Sequence, residues 1–172
     1  MLQRMEKYIQ EVFKKIGKNY PDINFYAWDV VSEALLDNGN MRSGDPQEGG
    51  DQFSPYVKIF GDNSYIRYAF QYAKKYSTNG CKLYYTDFNE YIQSKTNAII
   101  NLVKEVNEAE QLIDGIGLES HLDIQYPSTS DYEEAIKAFC NTGLDIQITG
   151  LEVTIEDNSI LNLKKQAIYY RD

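Results

Sequence analysis

The feature that most constrains this chain is an alternation. One amphipathic stretch is followed by four repeats of a short apolar run and another helix-length amphipathic stretch. The apolar runs fall at 25–31 (FYAWDVV), 81–86 (CKLYYT), 112–120 (LIDGIGLES) and 144–155 (LDIQITGLEVTI). They are rich in β-branched and aromatic residues and bounded by Gly, Asn, Asp or Pro, which reads as strands. The first amphipathic stretch, 2–16, carries Met5, Tyr8, Ile9, Val12, Phe13 and Ile16 at helical spacing and is stopped by Gly17. The next, 62–77, has Asp62 or Asn63 as its cap and a stripe of Ile66, Ala69, Phe70 and Ala73. Helices at 90–108 and 131–143 follow, the second closed by Gly143, and a last one begins near Ile160. Strand–helix repetition predicts an α/β fold of four parallel strands with outer helices. On this pattern alone, an arc of a closed barrel and a short open sheet are equally admissible.

Within that frame the strand ends carry the chemistry. WDVVSEALLD, 28–37, runs an apolar strand into Glu33, and the rim beyond strand C-termini is where α/β proteins meet ligands. A Glu in such a place also serves as a solvated, capping or ion-paired residue. A long loop at 38–56, rich in glycine and acids, suits the same face. Its Phe53 and Tyr56 are candidate rings for the cleft, whereas Trp28, inside a strand, reads as core. Seventeen basic against 26 acidic residues leave a net charge of −9, which argues against a nucleic-acid partner. No window is long and apolar enough for a membrane span, and the first residues lack the pattern of a signal peptide. Cys81 and Cys140 are isolated and read as two buried thiols, with no metal-like spacing. Asp45, Glu48 and Asp51 do not follow a calcium-loop spacing, so no metal or cofactor is expected. The one histidine, His121, gives little support to a histidine metal cluster or a Ser-His-Asp triad.

Four segments also carry a resemblance. WDVVSEAL is similar to a WDVVNEA motif, LYYTDFNEY to LYYNDYN, IDGIGLESHL to IDGIGMQSHL, and LDIQITGLEV to ITELDV. All four motifs, in this order, mark the family 10 glycoside hydrolases, endo-β-1,4-xylanases built on a (β/α)8 barrel. SPYVKIFGDNSYIRYAFQYA and KQAIYYRD resemble the family's intervening helices. The resemblance implies a partial TIM barrel, running from the third helix to the seventh and lacking strands one to three and strand eight. A whole barrel takes about 250 residues, against 172 here. It further implies xylan or xylo-oligosaccharide as ligand and an extracellular setting. An arc of this kind exposes strand edges, so self-association or a complementing barrel segment is expected.

The same resemblance assigns roles. Glu33 matches the acid/base, and Ser32 stands where the family has Asn. Thr86 replaces another Asn, Glu119 replaces Gln, and Asp87, Asn89 and His121 are retained; with Ser32 these form the expected substrate-binding set. The residue matching the nucleophile is Gly150, which has no side chain. Retaining hydrolysis needs two carboxyl groups about 5–5.5 Å apart, so the resemblance implies a xylanase lineage with hydrolysis lost. Glu152, two residues on, is the candidate displaced substitute: strand alternation puts it on the same side, about 6.5–7 Å along. A non-hydrolysing xylan-binding relative and a half-barrel interaction domain are the other readings.

Overall fold

The computed structural model describes residues 1–78 and 80–172. Helix α1 (Leu2–Asn19) leads into β1 (Ala27–Ser32), and a long loop with a 3-10 turn at Gly50–Gln52 reaches α2 (Pro55–Phe60) and α3 (Ser64–Tyr76). Strand β2 (Lys82–Asp87), α4 (Gln93–Asn107), β3 (Gly115–Leu118), β4 (His121–Asp123) and α5 (Thr129–Cys140) follow. The chain ends with β5 (Asp145–Ile148), β6 (Glu152–Thr154) and α6 (Ile160–Arg171). The main sheet is ordered β1-β2-β3-β5, and every neighbour pair is parallel. This is the expected arc of a TIM barrel: four parallel strands with helices on one side.

Side-chain alternation sorts the two faces of the sheet. Leu83 and Tyr85 of β2 and Ile116 and Leu118 of β3 point into the core with Ile66, Phe70, Ile99, Val103 and Phe139 from the helices. Tyr84, Thr86, Gly115 and Gly117 alternate with them and line the opposite, concave face. Gly115 is required there, because any Cβ would run into the Tyr84 ring. On the same face Tyr84 and Lys82 reach across to Asp145 of β5. Trp28 packs on Phe13 of α1 with ring centroids 5.2 Å apart, and on Phe25, as a core residue. The stripe Ile66, Ala69, Phe70 and Ala73 is buried as expected, joined by Tyr65.

Several expectations need correction. The first strand starts at Ala27, leaving Phe25 and Tyr26 outside it, and its register slips between Asp29 and Val31. The strand expected over 112–120 is shorter and is followed by a separate one, β4. More consequential, 144–155 is not one strand. It breaks after Ile148 and resumes as β6, which pairs with β4 in a separate two-stranded sheet with Glu152 opposite His121. Asn63 caps α3 without a side-chain bond; Asp62 accepts from the Ser64 amide instead. Helix α5 starts at Thr129 under a Ser128 cap and ends before Gly143, which sits in the following turn. The cysteines are free, but Cys81 is half-buried and Cys140 exposed. Cys140 is the last residue of α5, on a turn that faces water.

Candidate active site

The C-terminal ends of β1, β2, β3 and β5 open on one rim, and three residues there hold left-handed backbone: Glu33 (φ 55°), Asn89 (φ 51°) and Ser120 (φ 53°). For residues with a Cβ this conformation costs about 1–2 kcal/mol each, so each needs fixed partners. Around Glu33 every backbone group is tied. Its N–H donates to the Thr86 carbonyl at 2.9 Å, and its carbonyl accepts from Arg42 Nε at 2.5 Å. The Ala34 N–H donates to the Tyr85 hydroxyl at 3.0 Å, and the Ala34 carbonyl accepts from the Arg42 N–H at 3.1 Å. The Glu33 side chain stays half exposed, with Oε2 3.7 Å from Arg42 Nη2. Glu33 therefore lines a cleft at the rim and has a basic neighbour.

Ser32 and Thr86 hydrogen-bond through their hydroxyls at 2.6 Å on the concave side. At the two positions where the resembled family carries Asn, two short hydroxyls bond to each other. Asp87 departs from its expected role. It is fully buried, turned towards the helices, 2.9 Å from the equally buried Lys95 and bonded by the Tyr85 hydroxyl. It supports the rim from beneath and has no surface for a sugar. Burial pushes its carboxyl above the usual range, against the opposing pull of Lys95 and Tyr85. Lys95 also lies 3.9 Å from the centre of the Phe88 ring and 3.3 Å from Asp37. Asn89 donates to Asp37 and accepts from Tyr91, so both ends of its amide are engaged.

Glu119 does face the rim. Burial first, then the nearby charges of Glu33 and Asp87, raise its carboxyl, while His121 and Thr86 pull it down. His121 is exposed and stacks on Phe88 at 5.9 Å between ring centroids. Gly150 lies in the break between β5 and β6. A Cβ built on it would stand 2.8 Å from the Glu119 carbonyl oxygen, closer than real Cβ atoms come to backbone. The chain here has settled against Glu119, with Thr149 N–H on the Leu118 carbonyl at 2.8 Å. Because the strand is interrupted, Glu152 does not share a strand face with Gly150. It is exposed, on β6 beside His121.

Next to Glu33 a cleft of about 280 Å³ is lined by Ser32, Glu33, Arg42, Asp51, Phe53 and Tyr56 among others. Tyr56 is 55% exposed and stacks on buried Tyr65 at 5.2 Å, so its outer ring face is open. Both rings proposed from the loop therefore reach the cleft.

The glycosyl hydrolase family 10 model matches residues 1–172. The chain belongs to that family. Its relatives include the bifunctional endo-1,4-β-xylanase XylA of Ruminococcus flavefaciens, 42% identical over 92% of this chain and 16% of that protein. Endo-1,4-β-xylanase Y of Acetivibrio thermocellus is 39% identical over 99% of this chain and 16% of that protein. Among solved structures, the Clostridium thermocellum endo-1,4-β-D-xylanase 10B complexed with xylohexaose superposes with TM-score 0.89 and 36% identity, covering 99% of this chain and 34% of that one. A mutant of the intracellular xylanase TsXylA from Thermoanaerobacterium saccharolyticum, in complex with xylotetraose, gives TM-score 0.86 and 33% identity, covering 99% and 49%. This family 10 chain thus spans half or less of the length of these relatives.

Residues that sequence reasoning missed are those holding the rim from behind: Arg42, Lys95, Tyr85, Glu90 and Tyr132. None lies in the positions that carried the resemblance as catalytic or binding, and Lys95 reads as an ordinary exposed helix lysine.

Proposed function

We propose that this chain is the sugar-recognising arc of a family 10 xylanase barrel in which the retaining, covalent route to hydrolysis does not run. Xylan or xylo-oligosaccharide is its ligand, by the kinship of the rim to relatives named as xylanases and solved with xylohexaose and xylotetraose. The observation that carries the reading is Gly150. The residue at the nucleophile position has no side chain, and its backbone lies where a Cβ would meet the Glu119 carbonyl at 2.8 Å. A glycosyl-enzyme ester needs a carboxylate opposite the acid/base. Glu33 is the acid/base position and has no such partner. Glu152, on a separate small sheet, does not supply one.

What remains supports binding. Glu33, Glu119 and His121 offer polar groups along the rim, and Tyr56 offers an open aromatic face for a sugar ring. Tyr26 just before β1, Ile148 at the end of β5 and Leu151 just before β6 are each more than half exposed, and α6 exposes Ile160, Leu161 and Leu163. We take these surfaces as seats for further barrel elements, whether in the same protein, in a complementing segment or in a second copy. Calorimetric titration with xylohexaose and cellohexaose tests the binding half of the proposal. Saturable heat with the xylan oligomer, weakened by Tyr56→Ala, is expected. No heat with either oligomer would overturn it.

A further inference from the structure

Glu90 is a buried carboxyl behind the rim to which neither the resemblance nor the proposed sugar site assigns a role. It follows the left-handed Asn89 and is completely buried. Its Oε1 accepts from the Ser120 N–H at 3.1 Å, the Ser120 hydroxyl at 3.4 Å and the Tyr132 hydroxyl at 3.4 Å. Its Oε2 is buried with no hydrogen-bond partner among the described residues. Thr96 of α4 donates to the Glu90 carbonyl at 2.6 Å, so the backbone is anchored as well. Three elements therefore converge on one carboxyl: the β2–α4 loop, the β3–β4 turn and α5.

Ser120 is the residue that matters. It is fully buried and left-handed, and it lies between Glu119 and His121, both of which face the rim. A serine in that conformation needs its amide and hydroxyl held: Glu90 takes the amide, and the hydroxyl is shared between Tyr132 at 2.5 Å, the Leu118 carbonyl at 3.2 Å and Glu90 at 3.4 Å. We propose that Glu90 is a positioning residue that works as an uncharged acid: it fixes the Ser120 turn and thereby aims Glu119 and His121 into the cleft. No cation bonds the Glu90 carboxyl among the described residues, and a carboxylate with an orphaned oxygen is the costlier form there. The titratable groups that face it are Asp87, Tyr91 and Tyr132, none of them a cation; burial first, with Asp87 adding to it, raises its carboxyl above the usual range, against the pull of its own amide and of the Ser120 amide and hydroxyl. Glutamine is the isostere of the neutral acid, with Oε1 still accepting and the amide nitrogen in the place of the protonated oxygen.

The functional consequence rests on reading the rim as the sugar site, but the turn itself is observable without sugar. His121 is the only histidine in the chain, so its ring gives one set of NMR signals, displaced by the stacked Phe88 ring. In Glu90→Ala the turn is released, and the His121 signals are expected to lose that displacement. In Glu90→Gln they are expected to coincide with the wild-type signals when the two proteins are compared at the same pH. Xylohexaose affinity follows the same order: Glu90→Gln within about twofold of wild type and Glu90→Ala about tenfold weaker. Wild-type His121 signals in Glu90→Ala, or signals as collapsed in Glu90→Gln as in the alanine variant, would overturn the proposal. If Glu90→Ala does not fold, the glutamine variant alone decides it. Failure of the wild-type chain to bind xylohexaose would remove the sugar-site reading and leave the His121 test intact.

Discussion

Lys95 and Asp87 face each other at 2.9 Å with no solvent exposure on either side chain. Replacing Lys95 by Met leaves a buried carboxylate without its cation, at a cost of about 3–5 kcal/mol. Chemical denaturation is expected to show that loss for Lys95→Met, and most of it recovered when Asp87→Asn is added. A second residue-scale effect is pH dependence. Asp87, Glu90 and Glu119 all have carboxyls raised chiefly by burial. A carboxyl whose folded-state pKa lies above its unfolded value adds stability that is full below the unfolded value, about 4. That stability is lost as pH rises through the folded value. Glu6, Asp62, Asp145 and Asp157 are shifted the other way, but they lie at the surface, where solvent screens them. The melting temperature is therefore expected to rise as pH falls from about 7 to about 5, with a smaller rise in Glu90→Gln. A melting temperature that falls steadily over that interval would contradict this. The motifs named Glu33, Glu119 and His121 as rim residues, and the structure brings them there. They also named Asp87, which is buried. A motif records which residue type recurs at a position, and an aspartate held beneath a site recurs as faithfully as one within it. Arg42, Lys95 and Glu90 left no signal, because a charge that folds inward looks in one sequence like any of the other charged residues.

Element types were legible because period-two and helical patterns follow from backbone geometry. Element boundaries were less so. The run at 144–155 reads as one strand, yet Gly150 allows the chain to close on the Glu119 carbonyl, and the remainder pairs with β4. A break whose cause is a tertiary contact has no local signature. Helix α1 illustrates docking by a partial face: none of its residues is fully buried, and it is held by Met5, Ile9 and Phe13 against the core and by Glu6 against Lys75 and Tyr76. Phe13→Ala should cost about 2–3 kcal/mol, less than the roughly 3–5 of a fully buried phenylalanine because the site is only partly buried. Trp28 is the only tryptophan, so its emission should shift to the red in the same variant. An unchanged emission maximum would show that α1 does not depend on this contact.

At the scale of the molecule, an arc of four parallel strands leaves β1 and β5 each with one edge unpaired among the described residues. Together with the exposed side chains of β5 and α6, this predicts concentration-dependent association of the 172-residue chain in sedimentation velocity. A single monomeric species with a cooperative melt at high temperature would count against it. The chemistry depends on the same architecture, because an arc brings Glu33 and Gly150 to one rim without supplying the remaining strands of a barrel. The most direct test of the account is reducing-sugar release from xylan by this arc completed with the other strands of a family 10 relative, beside the same protein carrying Gly150→Glu. The account predicts no release above buffer from the unmodified arc, and only a fraction of the relative's rate from Gly150→Glu, whose Cβ must displace the Glu119 carbonyl. Release from the unmodified arc at the rate of the Gly150→Glu protein would contradict it.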